Sequence, residues 1–405
     1  MAAAKWTFMV YMAGDNNLAS AGDEDLREMR TVGSTDDVHV LVQFDNAATR
    51  GTERYRVLTD GDDVLESLGP TDSGDPNVLL DFIRWAHTAY PADRYALVLW
   101  NHGGGWEPSA IDQIAQEIHA PSFGAREGVE RASSSMRRTF FRTTLEAILA
   151  LPTPQDRAIC SDDGSGHSLD TIELGKVLAA AADVLGQPID LLGLDACLMS
   201  TLEVAHQVRP YVRYLVASEE SEPNEGWPYD VVLPRLVTDP DVATADLAAH
   251  VVAAYLESYA LAGYTGDITQ TALDLGRLDD LTGPLDRLAE ALIVRLPVAR
   301  GQIWEAHRGT KRFWQNTLVD VGHFGQRLRW VIPGVAEQAD AVVAALRPSP
   351  DGLVVAEGHA GDGVASCTGL TVYLPNALVG VSRFYADLEF AKRGPWARMV
   401  EGYVG

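Results

Sequence analysis

Short, continuous apolar runs alternate with longer amphipathic stretches over the first 240 residues, and this alternation is the feature that most constrains the fold. Several of the runs are apolar throughout, which is typical of strands buried on both faces of a parallel sheet. The helices between them include 76–90, with Asp75 as N-cap, and 170–185, which ends at Gly186. This order predicts an α/β sandwich with a mostly parallel central sheet and right-handed crossovers. The predicted strands are 5–12, 38–44, 55–58, 95–100, 158–160, 189–194 and 214–217.

The pattern becomes helix-rich after about residue 240. We therefore expect a first domain over 1–240 and a helix-rich C-terminal region over 241–405 that completes the sheet or packs on it. The predicted elements of this second part are helices 241–264, 280–298 and 336–346 and strands 268–275 and 370–374.

Composition and charge exclude several classes of function. The 32 Lys and Arg against 57 Asp and Glu give a formal net charge of −25, whereas nucleic-acid binding needs clustered basic side chains. The same acidity argues against attachment to an anionic membrane surface, and no apolar run is long enough to span a bilayer. The N-terminal run lacks the features of a signal peptide. Cys160, Cys197 and Cys367 are too few and too scattered for a disulfide framework or a CxxC zinc site, so we expect a cytoplasmic protein with reduced thiols.

Two of the most apolar predicted strands end in reactive residues. His102 and three glycines follow strand 95–100, and Cys197 follows strand 189–194. Ligands of open α/β sheets bind beyond the carboxyl ends of the strands, so His102 and Cys197 would face each other there if the two strands are neighbours. Each residue alone has a simpler explanation, since such a Cys is usually packing, such a His is usually structural and a glycine triplet is usually a turn. Their combination predicts a nucleophile and its base.

A Cys–His pair is the minimum that thiolate catalysis needs, because the imidazole takes the thiol proton and the ion pair then attacks a carbonyl. The glycines after His102 would let backbone N–H groups approach a developing oxyanion. A helix that starts just after Cys197 would further favour the thiolate through its dipole.

Asp195 is expected to shape the substrate pocket. Residues two apart in an extended segment share a face, so its carboxylate would lie beside the Cys197 thiol. A neighbouring anion would raise the pKa of the thiol and hinder catalysis, which makes Asp195 a better candidate for a pocket wall that awaits a cationic side chain. Four more acids follow strand 214–217, and an acidic cleft would select Lys or Arg; they are Glu219, Glu220, Glu222 and Glu225.

A basic segment separates the two reactive residues. Residues 107–157 make a long connection, and its part 120–142 holds five arginines and two glutamates, a local charge of 5 − 2 = +3. A solvated loop is the simplest interpretation of its composition.

These motifs resemble those of the clostripain family of cysteine peptidases, relatives of caspases, gingipains and legumain. The resemblance implies a caspase-like three-layer α/β/α sandwich, with 1–240 as the catalytic domain. It also implies a catalytic dyad of His102 and Cys197, and an oxyanion site at the N–H groups of Gly103 and Cys197. The matching segments are 10–18, 100–106, 162–166, 195–199, 218–220, 225–230, 319–324 and 369–375.

The resemblance also bears on specificity and activation. The family favours basic residues at P1; Asp195 matches the acidic position that recognises them, and Glu225 is a candidate for a second pocket acid. Family members are often activated by cleavage between the two catalytic residues. We therefore hypothesise that 120–142 is an activation loop in which the enzyme cuts itself after one of four arginines, namely Arg126, Arg131, Arg137 or Arg138.

Calcium is a cofactor that the resemblance allows, since some family members need it, although the chemistry itself requires none. Asp162, Asp163 and Asp170 lie close in sequence, but their spacing misses the EF-hand pattern. A solvated acidic loop is the favoured interpretation there, and the metal ligands stay unknown. The nine other histidines show no zinc-ligand spacing, which argues against a metal-dependent hydrolase.

The sequence thus predicts a cysteine endopeptidase acting on proteins or peptides with Arg or Lys at P1. Arg is preferred because its planar fork can bond a carboxylate through two hydrogen bonds. A cytoplasmic protease would need restraint, as a zymogen or through a regulatory protein partner. The alternative is a catalytically silent or partner-gated caspase-like homologue that binds basic peptides as a regulatory module.

Overall fold

The computed structural model describes residues 3–16, 18–49, 51–59, 61, 63–101, 103, 105–106 and 169–405. The predicted strand 158–160 lies outside the described residues. Eleven strands are present in the described part: β1 Ala4–Gly14, β2 Val38–Asn46, β3 Gly51–Arg56, β4 Asp63–Gly69, β5 Ala92–Trp100, β6 Ile189–Asp195, β7 Val212–Ala217, β8 Ile268–Asp274, β9 Leu318–Asp320, β10 Val354–Ala360 and β11 Thr371–Tyr373.

The described part also holds eleven α-helices, and no helix in it is both long and apolar enough to cross a membrane. The helices are α1 Ala19–Val32, α2 Pro76–Ala89, α3 Thr171–Leu185, α4 Leu202–Val208, α5 Tyr229–Thr238, α6 Thr244–Leu261, α7 Asp279–Arg308, α8 Val321–Val331, α9 Ala336–Ala345, α10 Glu389–Arg393 and α11 Trp396–Val404.

The chain divides into two compact units. The first comprises 1–197 and 223–243, and the second comprises 198–222 and 244–405. The predicted division at residue 240 does not set 198–222 apart, and as a division of function it stays a prediction.

The first unit is built on the strand order β6-β5-β1-β2-β3-β4. The pairs β6–β5, β5–β1 and β1–β2 are parallel, whereas β3 and β4 extend the sheet as antiparallel strands. β1, β2, β5 and β6 are almost wholly buried, as their continuous apolar runs predict. The predicted α/β fold with a mostly parallel sheet is confirmed.

Helices cover both faces of this sheet. Successive side chains of a strand point to opposite faces, and β1 shows which helices lie on each. The indole Nε1 of Trp6 donates to the carbonyl of Pro240, just beyond α5, at 3.1 Å. The ring of Tyr11 contacts Phe82 of α2 at 6.0 Å between centroids. Since α1 packs against α5 and α2 against α3, the unit has three layers.

The ends of two helices follow the local sequence signals. The Asp75 carboxylate accepts the N–H of Asn77 at the start of α2. At α3, Asp170 and Glu173 form a capping box, and Gly186 ends the helix in the left-handed conformation with φ 71°. The predicted N-cap at Asp75 and the predicted helix end at Gly186 are both confirmed.

The second unit is helix-rich, as predicted. β8 pairs antiparallel with β7 and with β10, while β9 and β11 form a separate antiparallel pair. The 30-residue helix α7 packs against α8, α9 and α11. The prediction for α7 stopped at residue 298, but the helix continues to Arg308. Pro284 and Pro297 both lie in its interior, where packing on three helices compensates for the backbone hydrogen bonds that the two prolines cannot make.

Candidate active site

The two strands that lead into the reactive residues are neighbours. β5 and β6 are parallel, with Trp100 opposite Asp195, and the N–H of Asn101 donates to the carbonyl of Asp195 at 3.3 Å. The segments that follow β5 and β6 therefore leave the sheet side by side, as the sequence predicted. His102 itself lies outside the described residues, and its role stays a prediction.

Gly103 lies directly against the backbone of Cys197. A Cβ at position 103 would fall 2.6 Å from the Cys197 nitrogen and 2.7 Å from its carbonyl carbon, closer than real Cβ atoms approach. Glycine is the residue that permits this contact. The structure thus brings together the two residues whose N–H groups the family resemblance assigns to the oxyanion site.

Cys197 is buried, forms no disulfide within the described residues, and begins a strained turn. The next residue, Leu198, has φ 63°, and among the described residues it is the one non-glycine with positive φ. Such a conformation costs an L-residue about 1 kcal/mol, and the N–H of Leu198 donates to the carbonyl of Glu220 at 3.2 Å. Strain of this kind concentrates at functional sites.

The helix expected just after Cys197 begins five residues further on. It is α4, which starts at Leu202, where the Thr201 hydroxyl accepts the N–H of Val204 as N-cap. An effect of its dipole on the thiol stays a prediction.

Asp195 ends β6, two residues before Cys197, and is 4% exposed. Its Oδ2 accepts a hydrogen bond from the Tyr229 hydroxyl at 2.9 Å and one from the Trp227 N–H at 3.3 Å. Gly226 lies beside the same carboxylate, since a Cβ there would be 3.1 Å from Oδ1. Asp195 is therefore held by a segment that follows it by about 30 residues.

Two acids of α1 also interact with the residues around Asp195. The Trp100 indole N–H donates to Asp25, and burial raises the pKa of Asp25 well above its ordinary value, with the charge of Asp195 as the next cause. Burial raises the pKa of Glu28 to about 7, and its Oε2 accepts the N–H of Tyr229 at 3.0 Å. The sequence analysis found neither acid nor Tyr229, because only the tertiary fold brings α1 and α5 to Asp195.

The expectation that four acids after β7 form a substrate cleft is wrong for three of them. Glu219 is fully buried, and its Oε2 accepts the N–H of Gly369 at 2.9 Å. Glu220 forms an ion pair with Lys311 at 2.9 Å between Oε2 and Nζ. Glu222 accepts a hydrogen bond from the side chain of Gln270 at 3.1 Å.

The hydrogen-bond and ion-pair partners of these three acids all lie in the second unit, as residues 218–222 themselves do. Glu225, the proposed second pocket acid, lies in the first unit and is exposed. Its role stays a prediction.

A cluster of two acids and a thiol lies inside the second unit. One ligand atom each of Glu219, Asp320 and Cys367 lies within 4.8 Å of the others. Asp320, however, accepts hydrogen bonds from the N–H of His323 at 2.6 Å and from the N–H and hydroxyl of Thr368 at 2.6 and 2.9 Å. A carboxylate surrounded by three donors is already stabilised as an anion, so the cluster does not fit a metal site.

Cys367 is an inert bystander in this cluster. Burial raises the pKa of its thiol far above the ordinary value, and the charges of Glu219 and Asp320 raise it further. Oxidation and nucleophilic attack both proceed through the thiolate, so neither is favoured here. Cys160 lies outside the described residues.

The acidic stretch considered for calcium is described only at Asp170. Its carboxylate accepts the N–H of Glu173 as the cap of α3, which leaves it oriented toward the helix backbone. Asp162 and Asp163 lie outside the described residues, as does 120–142 with Arg126, Arg131, Arg137 and Arg138. A calcium requirement stays a prediction.

Comparison with known proteins gives a consistent answer. The chain is 28% identical over 265 residues to clostripain of Hathewaya histolytica, a match that covers 57% of this chain and 42% of that protein. The chain thus spans less than half the length of this relative.

Two solved structures share the fold over nearly the whole chain. A secreted C11 cysteine protease from Bacteroides thetaiotaomicron, in complex with an irreversible peptide inhibitor, matches with a TM-score of 0.63 at 20% identity and covers 96% of this chain and 98% of its own. An inactive zymogen C11 protease from Parabacteroides distasonis matches with a TM-score of 0.66 at 19% identity, covering 97% and 98%. The predicted caspase-like α/β/α sandwich is therefore confirmed as the fold class.

The family model agrees with these likenesses. The model of the clostripain family matches residues 10–118 and 147–401, which is most of the sequence. The chain belongs to the clostripain family.

Proposed function

We propose that the chain is a cysteine endopeptidase that cleaves after Arg, and less efficiently after Lys, with Cys197 as nucleophile and His102 as base. The observation that carries this proposal is the contact of Gly103 with Cys197 at the ends of two adjacent parallel strands. It supports a shared oxyanion site beside the thiol, in a chain of this family. Comparison with known proteins does not favour the alternative, a silent module that binds basic peptides.

The proposed reaction proceeds in two steps. His102 takes the proton of the Cys197 thiol, and the thiolate attacks the carbonyl carbon of the scissile bond. The N–H groups of Gly103 and Cys197 stabilise the oxyanion. The imidazolium then protonates the leaving amine, and the same imidazole later activates the water that hydrolyses the thioester.

Asp195 is the proposed partner of the P1 cation. Its two hydrogen-bond donors, the Trp227 N–H and the Tyr229 hydroxyl, favour the ionised carboxylate. A buried carboxylate gains most from the planar fork of an Arg side chain, which forms two parallel hydrogen bonds. Glu225 is the proposed second acid, for which exposure allows only a small contribution.

The proposal also covers the activation, the regulation and the cellular location of the enzyme. We expect self-cleavage within 120–142 after Arg126, Arg131, Arg137 or Arg138, and restraint by a regulatory protein partner or a zymogen state. A cytoplasmic location and a calcium requirement also stay predictions.

A fluorogenic Arg-amide assay tests the nucleophile. The Cys197→Ala variant should lose turnover by at least about a thousandfold, as removal of a catalytic nucleophile does. The matched control is Cys367→Ala, which removes a buried thiol that has no role in the proposal. Turnover that survives in Cys197→Ala would exclude the proposed nucleophile.

Self-cleavage has its own test. Wild-type protein incubated alone should give two fragments on a gel, and the Cys197→Ala protein should remain intact. The same fragments from both proteins would show that another protease makes the cut.

A further inference from the structure

One segment of the first unit surrounds Asp195. The carboxylate meets Gly226 on one side, the N–H of Trp227 and the hydroxyl of Tyr229. These three residues lie within four positions of one another, from just after an exposed stretch at 224–225 to Tyr229, the first residue of helix α5. A single short segment therefore fixes the surroundings of the proposed specificity carboxylate.

Tyr229 is anchored at both ends. Its backbone N–H donates to Glu28 Oε2 at 3.0 Å, and its hydroxyl donates to Asp195 Oδ2 at 2.9 Å. The ring is fully buried. A rigid side chain held in this way imposes one direction on the hydrogen bond that it makes, and thereby one orientation on the carboxylate.

Trp227 ties the segment to the sheet. A Cβ on Gly193 of β6 would fall 2.7 Å from the indole ring of Trp227, so the ring lies flush against the strand two residues before Asp195. The Trp227 N–H donates to the same Oδ2 that Tyr229 bonds. Two donors that converge on one oxygen fix the plane of the carboxylate.

Gly226 packs directly against both carboxylate oxygens of Asp195. A Cβ there would lie 3.1 Å from Oδ1 and 3.2 Å from Oδ2 of Asp195. Its φ of 58° also lies in the left-handed region that favours glycine. A methyl group at this position would cover the two oxygens about equally.

We infer that Tyr229 and Gly226 determine the P1 specificity of the site: Tyr229 positions the Asp195 carboxylate, and the absence of a Cβ at Gly226 keeps both carboxylate oxygens from being crowded. The inference rests on the proposed function and adds to it Gly226 and the anchoring of Tyr229. A guanidinium uses two carboxylate oxygens, whereas an ammonium needs only one. Crowding by a side chain at position 226 therefore matters more for Arg than for Lys.

The test compares three amide substrates that differ only at P1: Arg, Lys and citrulline, the uncharged isostere of Arg. Tyr229→Phe should lower kcat/KM for the Arg and Lys substrates about tenfold, mainly through KM, because a hydrogen bond to a charged group is lost. The citrulline substrate should change by less than about twofold.

Gly226→Ala should instead crowd both oxygens of the Asp195 carboxylate. It should lower kcat/KM for the Arg substrate about tenfold and for the Lys substrate less, so that the ratio of Arg to Lys cleavage falls. The matched control is Tyr95→Phe, a buried tyrosine at the start of β5 whose hydroxyl bonds His87 Nδ1 at 2.7 Å. Its three kcat/KM values should stay within about twofold of wild type, as for a hydroxyl remote from the site.

A binding measurement separates this inference from the proposed function. Agmatine, which carries the guanidinium of Arg, is titrated calorimetrically into Cys197→Ala and into Cys197→Ala with Tyr229→Phe. The second protein should bind it about tenfold more weakly, whatever the catalytic competence of the chain. Equal agmatine affinities, or equal losses of kcat/KM on all three substrates, would overturn the inference, whereas turnover by Cys197→Ala would overturn only the proposed nucleophile.

Discussion

Each of the two units contains a buried carboxyl site. The first unit has Asp195, and the second has the pair of Glu219 and Asp320. The cost of burying the carboxyl groups is offset differently in the two sites. At Asp195 the compensation comes from the N–H and O–H groups of Trp227 and Tyr229, which favour the charged form. At the pair, two carboxyl groups lie in contact, so that one of them must hold a proton.

The protonated form is favoured more strongly at Glu219 than at Asp320. Burial raises its pKa well above the ordinary value, and the neighbouring charge of Asp320 raises it further. Burial also raises the pKa of Asp320, to about 6, but three donors from His323 and Thr368 counteract it.

The difference shows why burial alone does not identify a substrate-binding acid. The two carboxyl groups of the pair interact with each other and with nearby backbone donors. The N–H of Gly369 donates to Glu219, and the N–H of Thr368 donates to Asp320. Asp195 instead lies against Gly226, where a Cβ would fall 3.1 and 3.2 Å from its two oxygens. In the proposed function a P1 cation gains a buried, oriented partner at Asp195, whereas a cation at the pair would have to displace existing donors.

The largest expected effect comes from removing the charge of Asp195. Asp195→Asn should lower kcat/KM for an Arg-amide substrate about a thousandfold, or about 4 kcal/mol, because the P1 cation then lacks its buried partner. Asp320→Asn is the matched control and should leave kcat/KM within about threefold of wild type, since its carboxylate serves the packing of the second unit. Equal losses in the two variants would remove the functional distinction between the sites.

Removing the Asp320 side chain should have the largest effect on stability. The carboxylate caps α8 through the N–H of His323 and holds Thr368 by two further bonds. Asp320→Ala leaves these donors buried without a partner and should lower the free energy of unfolding by about 3 kcal/mol. Urea titration followed by circular dichroism measures the change. A loss below about 1 kcal/mol would mean that the donors find other partners.

The shared proton predicts how stability depends on pH. The native pKa of Glu219 lies above its ordinary value of 4.5, so the folded protein keeps a proton that the unfolded chain releases. This contribution to stability is fully present below pH 4.5 and is lost as the pH rises toward the native pKa. Glu219→Gln keeps a neutral donor at every pH. Its unfolding free energy relative to wild type should therefore rise by about 1.4 kcal/mol per pH unit above pH 5.

Glu28→Gln is the matched control for this pH series. Burial raises the pKa of Glu28 to about 7, so the same argument predicts a difference that grows above pH 4.5 and levels off above about pH 7. Urea titrations at each pH unit from 5 to 9 measure both variants. A Glu219→Gln difference that does not change with pH would exclude a proton shared within the pair.

The parts of the fold that the sequence predicted are those where local pattern and burial agree. Residues 8–13 of β1 and 95–100 of β5 are continuously apolar and buried because both faces are covered, so the positions of the two strands follow from the sequence. β4 was missed because it is an exposed edge strand, with Val64 49% and Leu68 38% exposed. β3 ends at Arg56, so the predicted strand 55–58 overlaps it by only two residues.

The candidate site divides in the same way. The proximity of Gly103 and Cys197 could be predicted, because parallel strands end at one edge of a sheet. The role of Tyr229 could not, since its hydroxyl reaches Asp195 only through the tertiary path of the chain. Glu219, Glu220 and Glu222 were assigned to a cleft because they lie close in sequence, but proximity in sequence does not reveal which unit a side chain packs into.

The smallest expected effect on kcat/KM comes from Glu225, and it distinguishes this exposed acid from the buried Asp195. Glu225 is one residue before Gly226 but exposed, so water and salt screen its attraction for a P1 cation. Glu225→Gln should lower kcat/KM for the Arg-amide substrate only about twofold, and the effect should vanish in 1 M salt, whereas the loss in Asp195→Asn should persist there. If Glu225→Gln instead matched Asp195→Asn at high salt, the P1 cation would be bound by both acids, and burial would no longer explain which carboxylate carries the specificity.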